Sequence, residues 1–169
     1  MQSLILIGQI VLLFLLIYLV LLLSYSLFRG APYAALSKKK IKIMMELLDT
    51  KKGRFIDIGS GDGRIVIAAA KMGMLSYGIE INPLLALISM IKIRTAKQKN
   101  AHIILGDCWK HSFSDYDFIS VWGTAHMMRA LEKKLLSELR PGAKVVSNHF
   151  KFPNWKAKKS KNDAYLYVR

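Results

Sequence analysis

A glycine-rich segment after a short apolar run is the strongest chemical signal in this sequence. Residues 55–64 read FIDIGSGDGR, which places Gly59, Gly61 and Gly63 at alternating positions between a predicted strand and a predicted helix. Glycines in this setting let the backbone approach a ligand closely, at a helix N-terminus that faces the same ligand. The spacing is neither the dinucleotide fingerprint G-x-G-x-x-G nor a P-loop. The acidic Asp57 before the glycines suits a cationic or amine-bearing ligand better than a pyrophosphate.

Two further carboxylates stand at the ends of the next two predicted strands, Glu80 after the second and Asp107 after the third. The carboxyl ends of parallel strands meet at one edge of the sheet, where ligands bind. Glu80 can accept both hydroxyls of a ribose, and Asp107 can reach the amine or flank of an adenine. The alternative is that Asp57 caps a helix and Asp107 makes a turn. The aligned set favours the S-adenosylmethionine site of class I methyltransferases.

Alternating strands and helices are predicted to position these residues, which is typical of a doubly wound α/β sheet. The predicted strands cover residues 54–58, 75–81, 101–105, 118–122 and 143–149, with 164–168 as a last, edge strand. The predicted helices cover residues 38–48, 64–72, 83–97 and 127–139. One domain of this kind fits the length of the chain after its uncharged N-terminal segment.

The charge distribution divides the chain into two parts. The first 28 residues carry no charge, whereas the remaining 141 hold all 26 Lys and Arg and all 11 Asp and Glu, for a net charge of +15. An apolar run of about 20 residues is long enough to span a bilayer, and no basic segment precedes it as in a signal peptide. Basic residues follow the run, which by the positive-inside rule predicts a single-pass membrane protein with its domain on the cytoplasmic or matrix side. The predicted organisation is a transmembrane anchor over 1–28, a linker over 29–37 and a methyltransferase domain over 38–169.

The glycine motif with its extension to residue 71 resembles the membrane-anchored protein-lysine methyltransferases of mitochondria that modify the c subunit of ATP synthase and the adenine nucleotide translocase, and their prokaryotic relatives. Further matches are YGIEINP at 77–83, GDCWK at 106–110 and FPNW at 152–155. The resemblance implies a Rossmann-like class I methyltransferase with a doubly wound, mostly parallel sheet, preceded by one transmembrane helix. It also implies S-adenosyl-L-methionine as cofactor and a lysine of a protein at the same membrane as acceptor.

The same resemblance assigns the site residues. The predicted cofactor-binding residues are Asp57, Gly59, Ser60, Gly61, Asp62, Gly63, Glu80, Ile81, Asn82, Asp107 and Cys108. The predicted acceptor pocket is aromatic, since aromatic faces hold alkylammonium groups, and its candidates are Trp122, Tyr33 and Trp155. Departures from the family pattern at residues 122–124 and 149–153 surround the acceptor side, so the identity of the acceptor stays open.

Other functions remain as alternatives. Methylation of an RNA is one, because a net charge of +15 favours phosphate contacts, but no RNA-binding module is recognisable and a nucleic-acid partner is disfavoured. Methylation of a membrane-associated small molecule or lipid is another. Membrane lipid is the predicted contact of the N-terminal helix and its basic flanks. The single cysteine and the spacing of the four histidines predict no metal site.

Overall fold

The structure is a computed structural model that describes residues 2–29, 36–50 and 52–169. Within the first helix it describes the side chains of residues 2–18 and of Val20. The chain divides into two compact units, Met1–Pro32 and Tyr33–Arg169.

The helix α1, Gln2–Arg29, belongs to the first unit. Within the described part of the chain, no helix combines the length and the apolar character needed to cross a membrane. The sequence predicted a transmembrane helix, and therefore a single-pass protein with its domain on the cytoplasmic or matrix side. Both predictions are wrong. The predicted boundaries at residues 28 and 37 stay predictions.

The second unit contains a seven-stranded sheet with the strand order β3-β2-β1-β4-β5-β7-β6. Its strands are β1 (Arg54–Ile58), β2 (Leu75–Glu80), β3 (Ala101–Leu105), β4 (Phe118–Val121), β5 (Lys144–Asn148), β6 (Lys159–Lys161) and β7 (Ala164–Val168). Its helices are α2 (Lys38–Leu48), α3 (Arg64–Lys71), α4 (Pro83–Thr95) and α5 (Ala125–Glu138). Strands β1 to β5 are parallel, and β7 is antiparallel to both β5 and β6. The predicted doubly wound, mostly parallel sheet is confirmed.

Helix starts follow from local chemistry. Ser37 accepts a hydrogen bond from the backbone N–H of Lys40 and thereby caps α2. Asn82 does the same for α4, accepting from the N–H groups of Leu84 and Leu85, with a proline at the first helical position. Because an N-cap side chain satisfies backbone donors that the helix leaves unpaired, both helices begin directly after a capping residue.

The two faces of the sheet carry separate cores. On one face, α5 packs against the sheet through Met128, Leu131 and Leu135. The other face, here called the α2 face, packs Phe55 and Val146 against residues of α2 and α3. Successive side chains of a strand point to opposite faces. Asp57, Ser120 and Asn148 therefore share the α2 face, each of them two residues after a residue that packs there.

The edge of the sheet differs from the prediction. Strand β7 has the predicted bounds, but β6 pairs with it and forms the edge instead. Asn162 and Asp163, with φ of +49° and +61°, connect the two strands, which is the conformation of a tight two-residue hairpin turn. All three residues of β6 are exposed, and Lys159 and Lys161 are two of them. A short, charged edge strand opposes pairing with a second chain.

Gly78 of β2 allows the loop after β1 to pack closely against the sheet. A Cβ atom at Gly78 would lie 2.6 Å from Ser60 Oγ and 2.7 Å from Val66 Cγ2. We expect Gly78→Ala to lower the free energy of unfolding by about 1–3 kcal/mol, as overpacking does, measured by urea denaturation. Gly106→Ala is the matched control, since the nearest atom to its added Cβ would be 3.8 Å away. Equal losses in the two variants would contradict this account.

Candidate active site

The glycine loop, defined as residues 59–63, connects β1 to α3 at the carboxyl edge of the sheet. Its three glycines all have a positive φ, +71° at Gly59, +54° at Gly61 and +76° at Gly63, a region that other residues rarely adopt. The N–H groups of Gly59 and Ser60 both donate to the carbonyl of Ile79, at 2.9 and 3.1 Å. The backbone of the loop is therefore folded against the end of β2.

Glu80 joins this loop to the turn that follows β2. Its Oε2 accepts from the N–H of Gly61 at 2.8 Å, and its Oε1 accepts from the N–H of Asn82 at 2.9 Å. The residue is only 7% exposed. Each carboxylate oxygen has a second lone pair, so the same group can accept further hydrogen bonds from the hydroxyls of a ligand.

Asp57 lies buried beneath the glycine loop and is 2% exposed. The Ser120 hydroxyl of β4 donates to its Oδ1 at 2.5 Å. Burial raises the pKa of Asp57 to about 7, with the nearby charges of Glu80 and Asp62 adding to the rise and the Ser120 hydrogen bond opposing it. A cation bound beside this carboxyl would favour its ionised form.

Asp62 forms ion pairs with two basic side chains of the protein. Its carboxylate pairs with Arg64 at 2.7 Å and with Lys92 of α4. Burial raises the pKa of Asp62, but the hydrogen bonds and charges of Arg64 and Lys92 outweigh it and hold the pKa well below its ordinary value. Arg64 also donates from Nη1 to the carbonyl of Leu36 at 2.8 Å. Asp62 thus ties the glycine loop to α4 and, through Arg64, to the residues before α2.

The remaining predicted cofactor residues follow β2 and β3. Ile81 is half-buried after β2, and the side chain of Asn82 caps α4. Asp107 accepts from the N–H of Trp109 at 2.9 Å in a turn after β3. Burial and the charge of Asp107 raise the pKa of the Cys108 thiol to about 11, so this cysteine is a neutral, half-buried group rather than a nucleophile.

The three acceptor-pocket candidates lie in different places. Trp122 directly follows β4 at the carboxyl edge and packs on the α2 face. Trp155 donates from Nε1 to the carbonyl of Val168 at 3.3 Å. Val168 pairs with Lys144, the first residue of β5, so Trp155 lies toward the opposite end of the sheet from the glycine loop. Tyr33 lies outside the described residues.

Sequence reasoning missed three residues of this region. Ser120 donates a hydrogen bond to Asp57, and Gly78 leaves room for the side chain of Ser60. Asn148 ends β5, and its side-chain amide is buried. Within the described part of the chain, neither the Ser60 hydroxyl nor the Asn148 amide has a hydrogen-bond partner. The sequence offered only weak signals for these residues: Ser120 is a polar residue in an apolar strand, Gly78 is a glycine within a strand, and Asn148 is an asparagine at a strand end. Such signals indicate a functional contact only once the neighbouring strands are known.

The sequence around this site is similar to that of known methyltransferases. The model of the ANTKMT methyltransferase domain family matches residues 57–159. The chain is 42% identical over 125 residues to a lysine N-methyltransferase of the ATP synthase C subunit from Xenopus laevis, covering 73% of this chain and 55% of that protein. It is 36% identical over 126 residues to an adenine nucleotide translocase lysine N-methyltransferase of Mus musculus, covering 73% and 55%. The chain spans about half the length of these curated relatives.

A solved structure extends the likeness over more of the chain. An RNA methyltransferase from Salinibacter ruber, in complex with S-adenosyl-L-homocysteine, has a TM-score of 0.73 and 28% identity, covering 80% of this chain and 92% of that one. The fold is thus the Rossmann-like class I methyltransferase fold, and its cofactor is S-adenosylmethionine. The described residues fit this group: a buried carboxyl at Asp57 for a positive charge, Glu80 for hydroxyls and an unpartnered Ser60 hydroxyl in the loop.

The raised pKa of Asp57 makes cofactor binding depend on pH. At pH 5.5 the free site holds a proton on Asp57, and a cationic ligand must displace it, whereas above a pH of about 7 the carboxylate is already ionised. We expect the affinity for S-adenosylmethionine to rise from pH 5.5 toward about 7, by at most about tenfold per unit, and then to level off. Calorimetry in two buffers of different ionisation enthalpy would detect the released proton.

Asp57→Asn keeps the shape of the side chain and removes its charge. We expect this variant to bind S-adenosylmethionine more weakly at neutral pH, and we expect its affinity not to change between pH 5.5 and about 7. Asp115→Asn is the control, because Asp115 is an exposed carboxylate away from the loop. An Asp57→Asn variant that retained the pH dependence of the unmodified chain would rule out Asp57 as its source.

Proposed function

The chain belongs to the family of ANTKMT methyltransferase domains, and from this premise we propose that it transfers methyl groups from S-adenosylmethionine to lysine side chains of a protein. The observation that carries the proposal is the extent of the family match. It runs over residues 57–159, beyond the cofactor loops and through β4, β5 and α5, the half of the fold where class I methyltransferases bind their acceptors. The names of the two curated relatives also specify lysine methylation.

Each part of the cofactor has a proposed contact. The glycine loop receives the amino-acid part, with Asp57 near its ammonium group, Glu80 accepts from the ribose, and Asp107 flanks the adenine. The contacts of Ile81, Asn82 and Cys108 are proposed on the same resemblance. When bound, S-adenosylmethionine supplies a sulfonium methyl group: the acceptor ammonium first releases a proton to solvent, the neutral amine then forms the new N–C bond, and the C–S electron pair remains on sulfur, which leaves a methylated ammonium.

The residues on the acceptor side must present a neutral amine. A lysine with its ordinary pKa near 10.4 is neutral only about once in two thousand molecules at pH 7. Desolvation beside the half-buried Trp122 lowers the pKa of such an amine, since burial disfavours the charged form. The aromatic face also holds partly methylated ammonium groups between successive transfers. Tyr33 and Trp155 stay predictions for this pocket.

The acceptor is proposed to be a protein, by analogy with relatives named for lysine methylation of ATP synthase and of the adenine nucleotide translocase. We also propose a contact with anionic lipid, made by the exposed lysines Lys38, Lys39 and Lys42. This contact is independent of the identity of the acceptor. RNA is the second candidate acceptor. It is favoured by the net charge of +15 and by the likeness to the Salinibacter ruber RNA methyltransferase.

A labelling experiment separates the two acceptors. The full chain is incubated with methyl-tritiated S-adenosylmethionine and, in parallel, with the protein fraction and the total RNA of the source cells. Acid hydrolysis of the labelled protein then separates mono-, di- and trimethyl-lysine. We expect label in methylated lysine. Label that appears only in RNA would contradict the lysine proposal and support the second candidate.

Glu80 is the sharpest single test of the cofactor contacts. Glu80→Gln retains one acceptor oxygen but turns an NH₂ group toward one of the two backbone donors of Gly61 and Asn82. Hydrogen bonds to a charged group contribute about 1.5–3 kcal/mol each, so we expect affinity for S-adenosylmethionine to fall more than about tenfold. Glu46→Gln is the matched control, because Glu46 is an exposed partner of Lys161. Normal calorimetric affinity in Glu80→Gln would refute the assignment.

A further inference from the structure

Asn148, the last residue of β5, is a buried amide that none of the contacts above uses. It is 1% exposed. Among the residues that the structure describes, neither its Nδ2 nor its Oδ1 has a hydrogen-bond partner. Leaving such a group unpaired destabilises the folded state, because the group loses its hydrogen bonds to water and gains none in return. Since most buried polar groups in native proteins are paired, an unpaired amide beside a binding site points to a ligand that completes its hydrogen bonds.

The backbone around Asn148 is fixed on both sides. The N–H of His149 donates to the carbonyl of Asp163 at 2.7 Å, and the N–H of Phe150 donates to the carbonyl of Asn148 at 2.9 Å. The Ser147 hydroxyl donates to the carbonyl of Phe150 at 2.8 Å. His149 itself has a φ of +70°, a costly conformation that the surrounding contacts must hold. The Asn148 side chain is thus presented in one direction by a rigid turn.

The register of the sheet places this amide on the acceptor side of the site. Val121 pairs with Ser147, so Trp122 and Asn148, the next residues of the two strands, are level at the carboxyl edge. Asn148 also shares the α2 face with Asp57. Strands β1, β4 and β5 are neighbours, which sets Asn148 two strands, about 10 Å, to the side of Asp57. The amide therefore lies next to Trp122 and away from the predicted cofactor contacts.

We infer that Oδ1 of Asn148 accepts a hydrogen bond from the acceptor amine and turns the lone pair of its nitrogen toward the methyl donor. This inference rests on the proposed function. A neutral lysine amine has two N–H groups beside its lone pair, and a monomethylated amine has one. The proton of the acceptor ammonium leaves to solvent before transfer, and the amide oxygen orients the resulting neutral nitrogen without taking a proton from it. The N–C bond then forms as the C–S bond breaks, which leaves a methylated ammonium and a neutral thioether.

The number of N–H groups gives the inference a distinctive consequence. A dimethylated amine in its neutral form has none, so Asn148 can assist the first and second transfers but not a third. A residue that only supported the fold would affect all three transfers alike. The distribution of products therefore distinguishes positioning of the amine from a structural role.

Asn148→Leu is the test, because leucine has a similar shape and cannot accept a hydrogen bond. In the labelling experiment on the protein fraction, we expect mono- and dimethyl-lysine to fall about tenfold, the loss of about 1.4 kcal/mol of transition-state stabilisation. Affinity for S-adenosylmethionine should stay within about twofold, since the cofactor contacts lie two strands away. The melting temperature should stay equal or rise, since the unpaired amide is gone. Asn154→Leu, at an exposed asparagine, is the matched control.

A second acceptor preparation tests the N–H requirement directly. Reductive methylation of the protein fraction converts its lysines to dimethyl-lysine, and transfer to this material yields trimethyl-lysine. We expect Asn148→Leu and the unmodified chain to act on it equally. An equal proportional loss on both preparations in Asn148→Leu would overturn the inference.

Asn148→Asp supplies a readout that a structural role would not move. The variant keeps an acceptor oxygen, but its charge stabilises the ammonium form of the acceptor and raises the pKa of that amine. We expect the pH at which the transfer rate rises to shift upward by about one unit. An unshifted pH profile, or Asn148→Leu at the full rate while the unmodified chain labels lysine, would overturn the inference. No lysine label even with the unmodified chain would instead refute the proposed function.

Discussion

The two hydrogen bonds accepted by the Glu80 carboxylate determine the geometry on which the rest of the site depends. They join the N–H of Gly61, in the loop after β1, to the N–H of Asn82, in the turn after β2. Both donors lie in segments that belong to no strand or helix, and the carboxylate adds a direct link between the two loops to the contacts that the glycine loop makes with Ile79 and with α4. Because the carboxylate is buried, each hydrogen bond is strong and the donors have little access to water. The crevice therefore exists as a preformed backbone surface rather than as a set of mobile side chains.

The carboxylates around the loop divide into two electrostatic classes. Asp62 is neutralised by Arg64 and Lys92, and it serves to fasten the loop to α4 and to the residues before α2. Asp57, within the described structure, has the Ser120 hydroxyl as its partner and no paired cation, and burial raises its pKa to about 7 against the effect of that hydrogen bond. Asp62 has its charge neutralised by cations of the protein, whereas Asp57 does not. A site with one such uncompensated carboxyl is complementary to a ligand of positive charge. In the proposed cofactor contacts, the sulfonium and ammonium groups of S-adenosylmethionine supply that charge.

Most of the sheet and the cofactor side of the site could be predicted from the sequence, because local patterns encode them. Strand β1 and helix α2 have their predicted bounds, since apolar periodicity, a capping Ser37 and a glycine-rich turn mark them. The contacts of Ser120, Gly78 and Asn148 depend on cross-strand register, which no local pattern records. Strand β6 lies in a lysine tract without apolar alternation and forms only because β7 pairs with it. The transmembrane helix, predicted from the length of an apolar run, the basic residues after it and the family resemblance, was wrong for the described part of the chain.

The acceptor side shows why an amide suits this position better than an acid. For the proposed transfer to lysine, the methyl donor is a sulfonium that is already activated, so the protein has to align the amine and keep it neutral rather than remove a proton in the transition state. A buried carboxylate beside the amine would stabilise its ammonium form and reduce the neutral fraction further. A neutral amide accepts the same hydrogen bond without that penalty, and the adjacent indole of Trp122 still attracts the cationic product. In the proposed mechanism, Asn148 and Trp122 thus divide the two requirements between them: Asn148 orients the neutral amine before transfer, and Trp122 retains the methylated ammonium after it.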